Sequence, residues 1–450
     1  MIKLFCVLIL LISIFRFFTG RDKSITRANT LLLSAIIQSL MFYPLMKAFI
    51  VFKETKMQMD FTAPIENIGG LYFPTILVCL FPLINKRKYR WKWGNTKYVI
   101  WIIIFFFIYS YLSPYNIQHS ATNVALIVFI QIVFTIYMCK SYIGTNTFII
   151  ACYDAFKIIL FIELIISLSF VLLHINTLQQ LFIPELEGAV VEREGSSFLR
   201  ASGTTGWPNR LGALCTLIAI FYWICYLRKY KTKQSFWLLV TSIFIILLSQ
   251  SRSALLACLL SMAISTLVFL HKKHKLSLKK IISLAILTSI TIIILLNLPI
   301  VQEMFFKSDA EEMTEARFIH YLLGYNIALE TNFIGTGINS HTHFMCYNMN
   351  NRILGDIWLY QHSIHNIHLV ILAELGILGL IIWILYLVSR IIKILKLPLS
   401  KMNNPIIWLS FFSMILTIII HGFTDIMYIH YQYLLIISLF GMYSSTYTKQ

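Results

Sequence analysis

Three arginines and a histidine stand where apolar stretches of this chain give way to short polar ones: Arg200, Arg252, Arg317 and His365. A guanidinium fork binds phosphate oxygens bidentately and stays charged at any relevant pH. Set around a lipid diphosphate, such groups would hold the negative charge that grows as its bond to a sugar breaks. Diphosphate is already a good leaving group, so no general acid is required. The attacking hydroxyl does need to lose a proton, and a histidine neutral near pH 7 suits that step. Plainer readings stand beside these. Arg252 can snorkel to headgroup phosphates, and one boundary histidine is by itself a weak signal.

Arg200 opens the run Arg200-Ala-Ser-Gly203-Thr-Thr-Gly206-Trp207-Pro208-Asn209-Arg210, whose glycines and proline predict a tight turn before an apolar span. Arg317 is expected to open a short helix over 315–330, ahead of Asn332-Phe-Ile-Gly335-Thr-Gly337. His362, His365 and His368 recur every third position, which makes a metal site conceivable, but no HExxH is present and packing or hydrogen bonding is the simpler reading. Glu374 lies in apolar surroundings, so a structural bond to a helix end or an arginine is expected of it. Gly376 and Gly379 read as close helix contacts. Asp425, between His421 and His430, can approach the site or simply face solvent.

The elements that must carry these residues are membrane helices. Of 450 residues 58% are hydrophobic and only 12% charged, about half the charged fraction of soluble domains. Apolar blocks fall at 4–18, 31–51, 68–85, 98–112, 121–139, 147–174, 210–227, 236–250, 254–270, 281–298, 367–388, 406–421 and 431–444. Many approach the roughly 20 residues that cross a bilayer as a helix. The expected fold is all-α and polytopic, with 12 or 13 spans depending on whether 4–18 crosses; that first block is read as retained, not as a cleaved signal. The net charge of +18 gathers in short links (86–97, 228–233, 272–280 and 390–401) that contain no acid. This is the pattern of cytoplasmic loops, and such separated links do not form a nucleic-acid surface. The longest polar stretches, 175–209 and 299–366, carry formal net charges of −2 and −4 and read as external. The chain thus divides into 1–174, 175–298, the large external loop 299–366 between the tenth and eleventh blocks, and 367–450, with the C-terminus cytoplasmic. The eight scattered cysteines suggest no disulfide framework.

Residues 236–270 form one apolar block broken only by Gln250-Ser251-Arg252-Ser253. An unbroken helix of that length would measure about 50 Å, too long for one crossing. Both flanks are lysine-rich, so two short helices meeting at an outer turn are predicted, with Arg252 at that turn.

Three stretches together resemble the O-antigen ligase and polymerase superfamily of bacterial surface-polysaccharide assembly. Arg200 through Asn209 is similar to its Arg-x-x-Gly…Pro-Asn stretch, and Ser251-Arg252-Ser253 to its Ser-Arg-Gly/Ser turn. Arg317, Gly335-Thr-Gly337, His365-Asn366 and Leu372-Ala-Glu-Leu-Gly-Ile-Leu-Gly379 are similar to its loop and His-Asn…Ala-Glu-x-Gly signature. The resemblance covers roughly 197–388. It implies a GT-C-like membrane glycosyltransferase with a polyprenyl-diphosphate-linked glycan as donor, working at the outer face of the inner membrane without metal or other cofactor and inverting the anomeric centre. It also implies that His365 acts as base or orients the acceptor and that Arg200, Arg252 and Arg317 hold the diphosphate; Asn209, Asn366, His368 and Glu374 are candidate supporting residues.

The preferred expectation is a polymerase joining lipid-linked repeat units, with a chain-length regulator and a flippase as partners beside membrane lipids. A ligase acting on lipid A core is the alternative within the superfamily. A lipid-linked glycan transporter is the alternative of another class, for which the intramembrane acids Asp154 and Glu163 are the best cues.

Overall fold

A computed structural model describes residues 12–13, 15–19, 24–41, 50–56, 65, 68–85, 96–173, 199–273, 309–349, 360–402 and 404–444. Its helices, in chain order, are α1 (Ile25–Met41), α2 (Phe73–Val78), α3 (Phe81–Ile84), α4 (Thr96–Leu112), α5 (His119–Tyr142), α6 (Thr145–Leu173), α7 (Pro208–Leu227), α8 (Thr232–Ser249), α9 (Arg252–Lys272), α10 (Asp309–Glu330), α11 (His341–Phe344), α12 (Ile367–Lys396), α13 (Pro405–Gly422) and α14 (Tyr431–Ser444). One antiparallel ribbon interrupts them, β1 (Ile50–Lys56) on β2 (Ile68–Leu71), with Ile50 opposite Leu71. Among the described residues seven helices are long and apolar enough to cross a membrane: α5, α6, α7, α8, α9, α12 and α13. The protein is an all-α, multi-pass membrane protein. The expected span 281–298, most of 4–18 and most of the loop 175–198 lie outside the described residues, as do 299–308 and 350–359.

α7 is the central post. Its side chains are apolar all round and nearly all buried, the mark of a helix enclosed by others. α8, α9 and α13 pack on it, α6 packs on α8, and α1 packs on α6. On the far side α12 joins α13 and receives α10.

Two expected spans differ from the fold. Of the block 31–51, residues 31–41 are helical, 42–49 lie outside the described residues, and Ile50 and Val51 belong to β1. The block 68–85 is not one helix: it starts as β2 and continues as the short α2 and α3, each with proline in its first turn. Pro74 and Pro82 suit helix starts and cannot continue a preceding helix. Buried Gln131 of α5 pairs this irregular backbone, accepting from Tyr72 N–H (2.9 Å) and donating to Gly70 C=O (2.7 Å). Side-chain pairing of this kind is what non-helical chain inside a membrane protein requires.

The hairpin at 250–253 is present. α8 ends at Ser249, Gln250 takes a left-handed φ of 51°, and Arg252 begins α9. Gly212 of α7 lets this turn approach closely, since a Cβ there would lie 2.8 Å from that of Ser251 and 2.9 Å from that of Ala254.

Candidate active site

α10 is longer than expected, and Arg317 lies well inside it instead of opening it. Arg317, His320, Tyr321 and Gly324 follow helical spacing, so they share one face. Gly324 brings that face against the segment leading into α12, where an added Cβ would lie 3.2 Å from Ile364 Cδ1 and 3.3 Å from Leu369 Cβ.

His365 occupies that segment. Asn366 caps α12, its Oδ1 accepting from His368 N–H (2.9 Å) and Leu369 N–H (3.1 Å), while its Nδ2 donates to Phe423 C=O (3.3 Å). A capping residue has extended, non-helical backbone, so His365 stands just outside the helix. Its ring stacks on that of His320, centroids 5.1 Å apart and planes 21° from parallel. His365 Nδ1 is buried, with no hydrogen-bond partner among the described residues. Burial lowers the pKa of His365 from its ordinary value; the positive charge of Arg317 and neighbouring His362 add to this, and Asp425 opposes it. The imidazole is therefore neutral at pH 7.

Asp425 lies in the turn after α13 and is almost wholly buried. Its Oδ1 accepts from Ile426 N–H at 2.7 Å, and its Oδ2 has no hydrogen-bond partner among the described residues. Both Asp425 and Arg317 lie within electrostatic reach of His365, His421 and Tyr321. Burial raises the pKa of Tyr321, whose hydroxyl donates to Phe423 C=O. His421 Nε2 lies 2.9 Å from Ser253 Oγ and its Nδ1 3.1 Å from Tyr428 Oη. Through that contact the Ser251-Arg252-Ser253 turn meets the histidine cluster. His430 completes the group. Burial and the charge of Arg210 push its pKa down to about 3, and its Nδ1 donates to Ile65 C=O at 3.4 Å.

Arg200 sits on the other flank of the hairpin. It donates to Ser249 C=O (Nε, 3.4 Å) and to Asn209 Oδ1 (Nη2, 3.3 Å), and Ala201 N–H bonds Leu248 C=O at 3.0 Å. Arg200 and Asn209 are thus brought together and tied to the end of α8. The turn behind them is held by Glu163, which accepts from the amide (2.9 Å) and the hydroxyl of Thr204. Gly203 has φ 54°, and a Cβ there would lie 2.1 Å from Glu163 Oε2.

Other expected members have different surroundings. His368 faces into the bundle, where Trp383 Nε1–H donates to its Nδ1 (3.2 Å), its Nε2 donates to Ile419 C=O (3.5 Å) and its ring lies 4.7 Å from that of Phe423. With both nitrogens engaged, its surroundings are those of a packing residue. Since Asn366 caps the helix, only His368 of the His362/His365/His368 series is helical, and among the described residues no three His, Cys, Asp or Glu side chains gather at metal-binding distances. Glu374 pairs with His341, Oε1 to Nδ1 2.8 Å, not with an arginine. Gly376 is a break within α12 at φ 65°, not a simple helix contact. Asp154 is bound by Arg16 (2.8 Å), Lys157 (3.8 Å) and Ser34 Oγ (3.2 Å). Asp154 and Glu163 thus both have structural partners.

His320, Tyr321, His421 and Arg210 belong to this region without having been marked as candidates. The first two carry a readable signal, spacing of three and four from Arg317. His421 meets Ser253 only through tertiary packing.

Residues 237–384 match the family model described as O-antigen ligase. That stretch runs from α8 to the middle of α12 and contains Arg252, Arg317, His365 and Glu374; Arg200 and Asn209 precede it. No curated protein matches the chain. The fold is that of a polytopic helical membrane protein, and the match points to a glycosyltransferase-like domain within it. Over that stretch the chain is similar to the O-antigen ligase family.

Proposed function

We propose that this protein is a polysaccharide polymerase of the bacterial inner membrane, with its site at the outer face. It transfers a polyprenyl-diphosphate-linked glycan to a sugar hydroxyl of another lipid-linked repeat unit. His365 takes the proton of the acceptor hydroxyl, whose oxygen forms a bond to the donor's anomeric carbon. The bond from that carbon to the diphosphate oxygen breaks, and polyprenyl diphosphate departs with the electron pair. Attack opposite the leaving group inverts the anomeric centre. Arg317, with Arg252 and Arg200, holds the departing charge, and the Asp425 carboxylate stabilises the imidazolium formed on His365. These roles need no metal. A chain-length regulator and a flippase are the partners this activity would require.

One observation carries the reading: a neutral, half-buried imidazole lies within electrostatic reach of both the Arg317 guanidinium and the Asp425 carboxylate, one of whose oxygens has no hydrogen-bond partner among the described residues. A base must be unprotonated before it acts, and its conjugate acid must be tolerated afterwards.

The test uses purified protein with its lipid-linked repeat unit as sole substrate and glycan sizing on a gel. A ladder is the expected result. Single transfer to added lipid A core without a ladder would make the protein a ligase. Movement of the lipid-linked unit across liposomes without either product would make it a transporter.

A further inference from the structure

The Gly335-Thr-Gly337 turn and the break in α12 lock together through the main chain. Thr336 N–H bonds Ala373 C=O and Gly337 N–H bonds Glu374 C=O, both at 2.9 Å, while Ile377 N–H bonds Phe333 C=O at 3.1 Å. The contact excludes side chains: a Cβ on Gly335 would lie 2.5 Å from Glu374 O, and one on Gly376 would lie 2.1 Å from Phe333 O. His341 follows this turn, fully buried at the start of α11.

Its hydrogen bonds define one state. Nδ1 lies 2.8 Å from Glu374 Oε1; Nε2 lies 3.1 Å from Ser363 Oγ and 3.4 Å from the Ile364 amide nitrogen. An amide N–H only donates, so Nε2 is the unprotonated nitrogen, and Nδ1 carries the hydrogen that Glu374 accepts. The lone pair of a neutral imidazole therefore grips the backbone one residue before His365. On the other side of His365, Asn366 is fixed as the cap of α12.

We propose that His341 is a positioning residue for His365, with Glu374 holding its tautomer and Ser363 and Ile364 transmitting its hold. This rests on the reading of His365 as the base. His341 acts on the segment that carries His365, through the Ile364 amide and the Ser363 hydroxyl, and not on the reacting atoms.

The test compares full-length His341→Phe with His341→Gln, whose side-chain oxygen restores an acceptor. His341→Phe should lower kcat for transfer about 10- to 100-fold with KM changed less than about two-fold, the cost of a misplaced catalytic group. His341→Gln should recover most of that loss. In a His365→Ala background His341→Phe should add nothing, because its effect passes through His365. A loss of equal size in that background, or a loss carried by KM, overturns the proposal. Labelling of His365 by diethyl pyrocarbonate, read by mass spectrometry, needs no turnover. It should change several-fold in His341→Phe and return in His341→Gln. An unchanged rate overturns the positioning role, whereas absence of transfer by the unaltered protein counts only against the function. Should His341→Phe fail to fold, Ser363→Ala removes the hydroxyl partner of Nε2 and carries the same measurements.

Discussion

The surroundings of His341 and of His365 are both rich in buried polar groups, but those groups are satisfied differently. Around His341 the loop closes on itself and on α4 and α5: Ser113 Oγ donates to Gly335 C=O (2.7 Å), Thr122 Oγ1 to Ile338 C=O (3.1 Å) and Asn339 Nδ2 to Ala121 C=O (3.1 Å). Around His365 two buried atoms, His365 Nδ1 and Asp425 Oδ2, have no hydrogen-bond partner among the described residues. Buried polar atoms are ordinarily paired, and each exception calls for an explanation. The difference separates a framework, in which the turn, α11 and α12 are cross-linked by hydrogen bonds, from a site at which His365 Nδ1 and Asp425 Oδ2 stand without them. The motif residues sort accordingly, with Gly335, Gly337, Glu374 and Gly376 in the framework and Arg317 and His365 at the site.

The two regions should therefore fail in different ways. Arg317→Lys keeps the charge and removes the planar fork, and glycan transfer should fall about 100-fold or more, the usual cost of losing a donor aimed at developing charge. Its thermal midpoint should stay near that of the unaltered protein. A large drop in that midpoint would move Arg317 into the framework.

Gly376→Ala should do the reverse. A left-handed φ costs a residue with a side chain on the order of 1–3 kcal/mol, before the clash with Phe333 O is counted. The expected outcome is a lower thermal midpoint and poor recovery of folded protein. Unchanged stability would mean that the turn and the α12 break do not depend on each other.

The smallest effect is a pH dependence. Because His365 has a lowered pKa, the base form persists below the ordinary value of 6.5 and is lost only as pH falls further. Transfer should stay flat from neutral pH to below 6.5 and then decline about tenfold per unit. Stability should respond over a wider range. His343 and His430 are buried neutral, with pKa values lowered to about 4 and about 3, so the folded state binds fewer protons than the unfolded one. Their contribution is full above 6.5 and erodes as pH falls from there toward those values. A transfer profile that falls above pH 6.5 would remove His365 as the sole base.

Much of the fold was legible because local composition dictates it. Lysine-rich links on both sides of a block too long for one crossing predict the hairpin at Gln250–Ser253, and Pro208 marks the start of α7. The block 68–85 misleads because apolar content alone resembles a span, while the partner that stabilises its irregular backbone, Gln131, lies far along the chain. Gly376 misleads in another way, since small residues on an apolar helix suggest close packing before they suggest a break. At the site, arginines at polar boundaries could be marked from residue type alone. The pairing of Glu374 with His341 and of Ser253 with His421 could not, because nothing local links residues 33 or 168 positions apart. The face of α10 was readable in principle. The acids from Asp309 to Glu315 suggest a solvated loop and hide only the first turns of α10, which put Arg317 inside the helix and not at its start.

The central claim is that the cluster around His365 performs transfer from a lipid diphosphate. Release of polyprenyl diphosphate in the presence of acceptor, measured with purified protein and its His365→Ala variant at matched folding and matched donor affinity, tests it most directly. The account predicts a loss of about 100-fold or more with donor binding retained. Release by His365→Ala at the rate of the unaltered protein would contradict it.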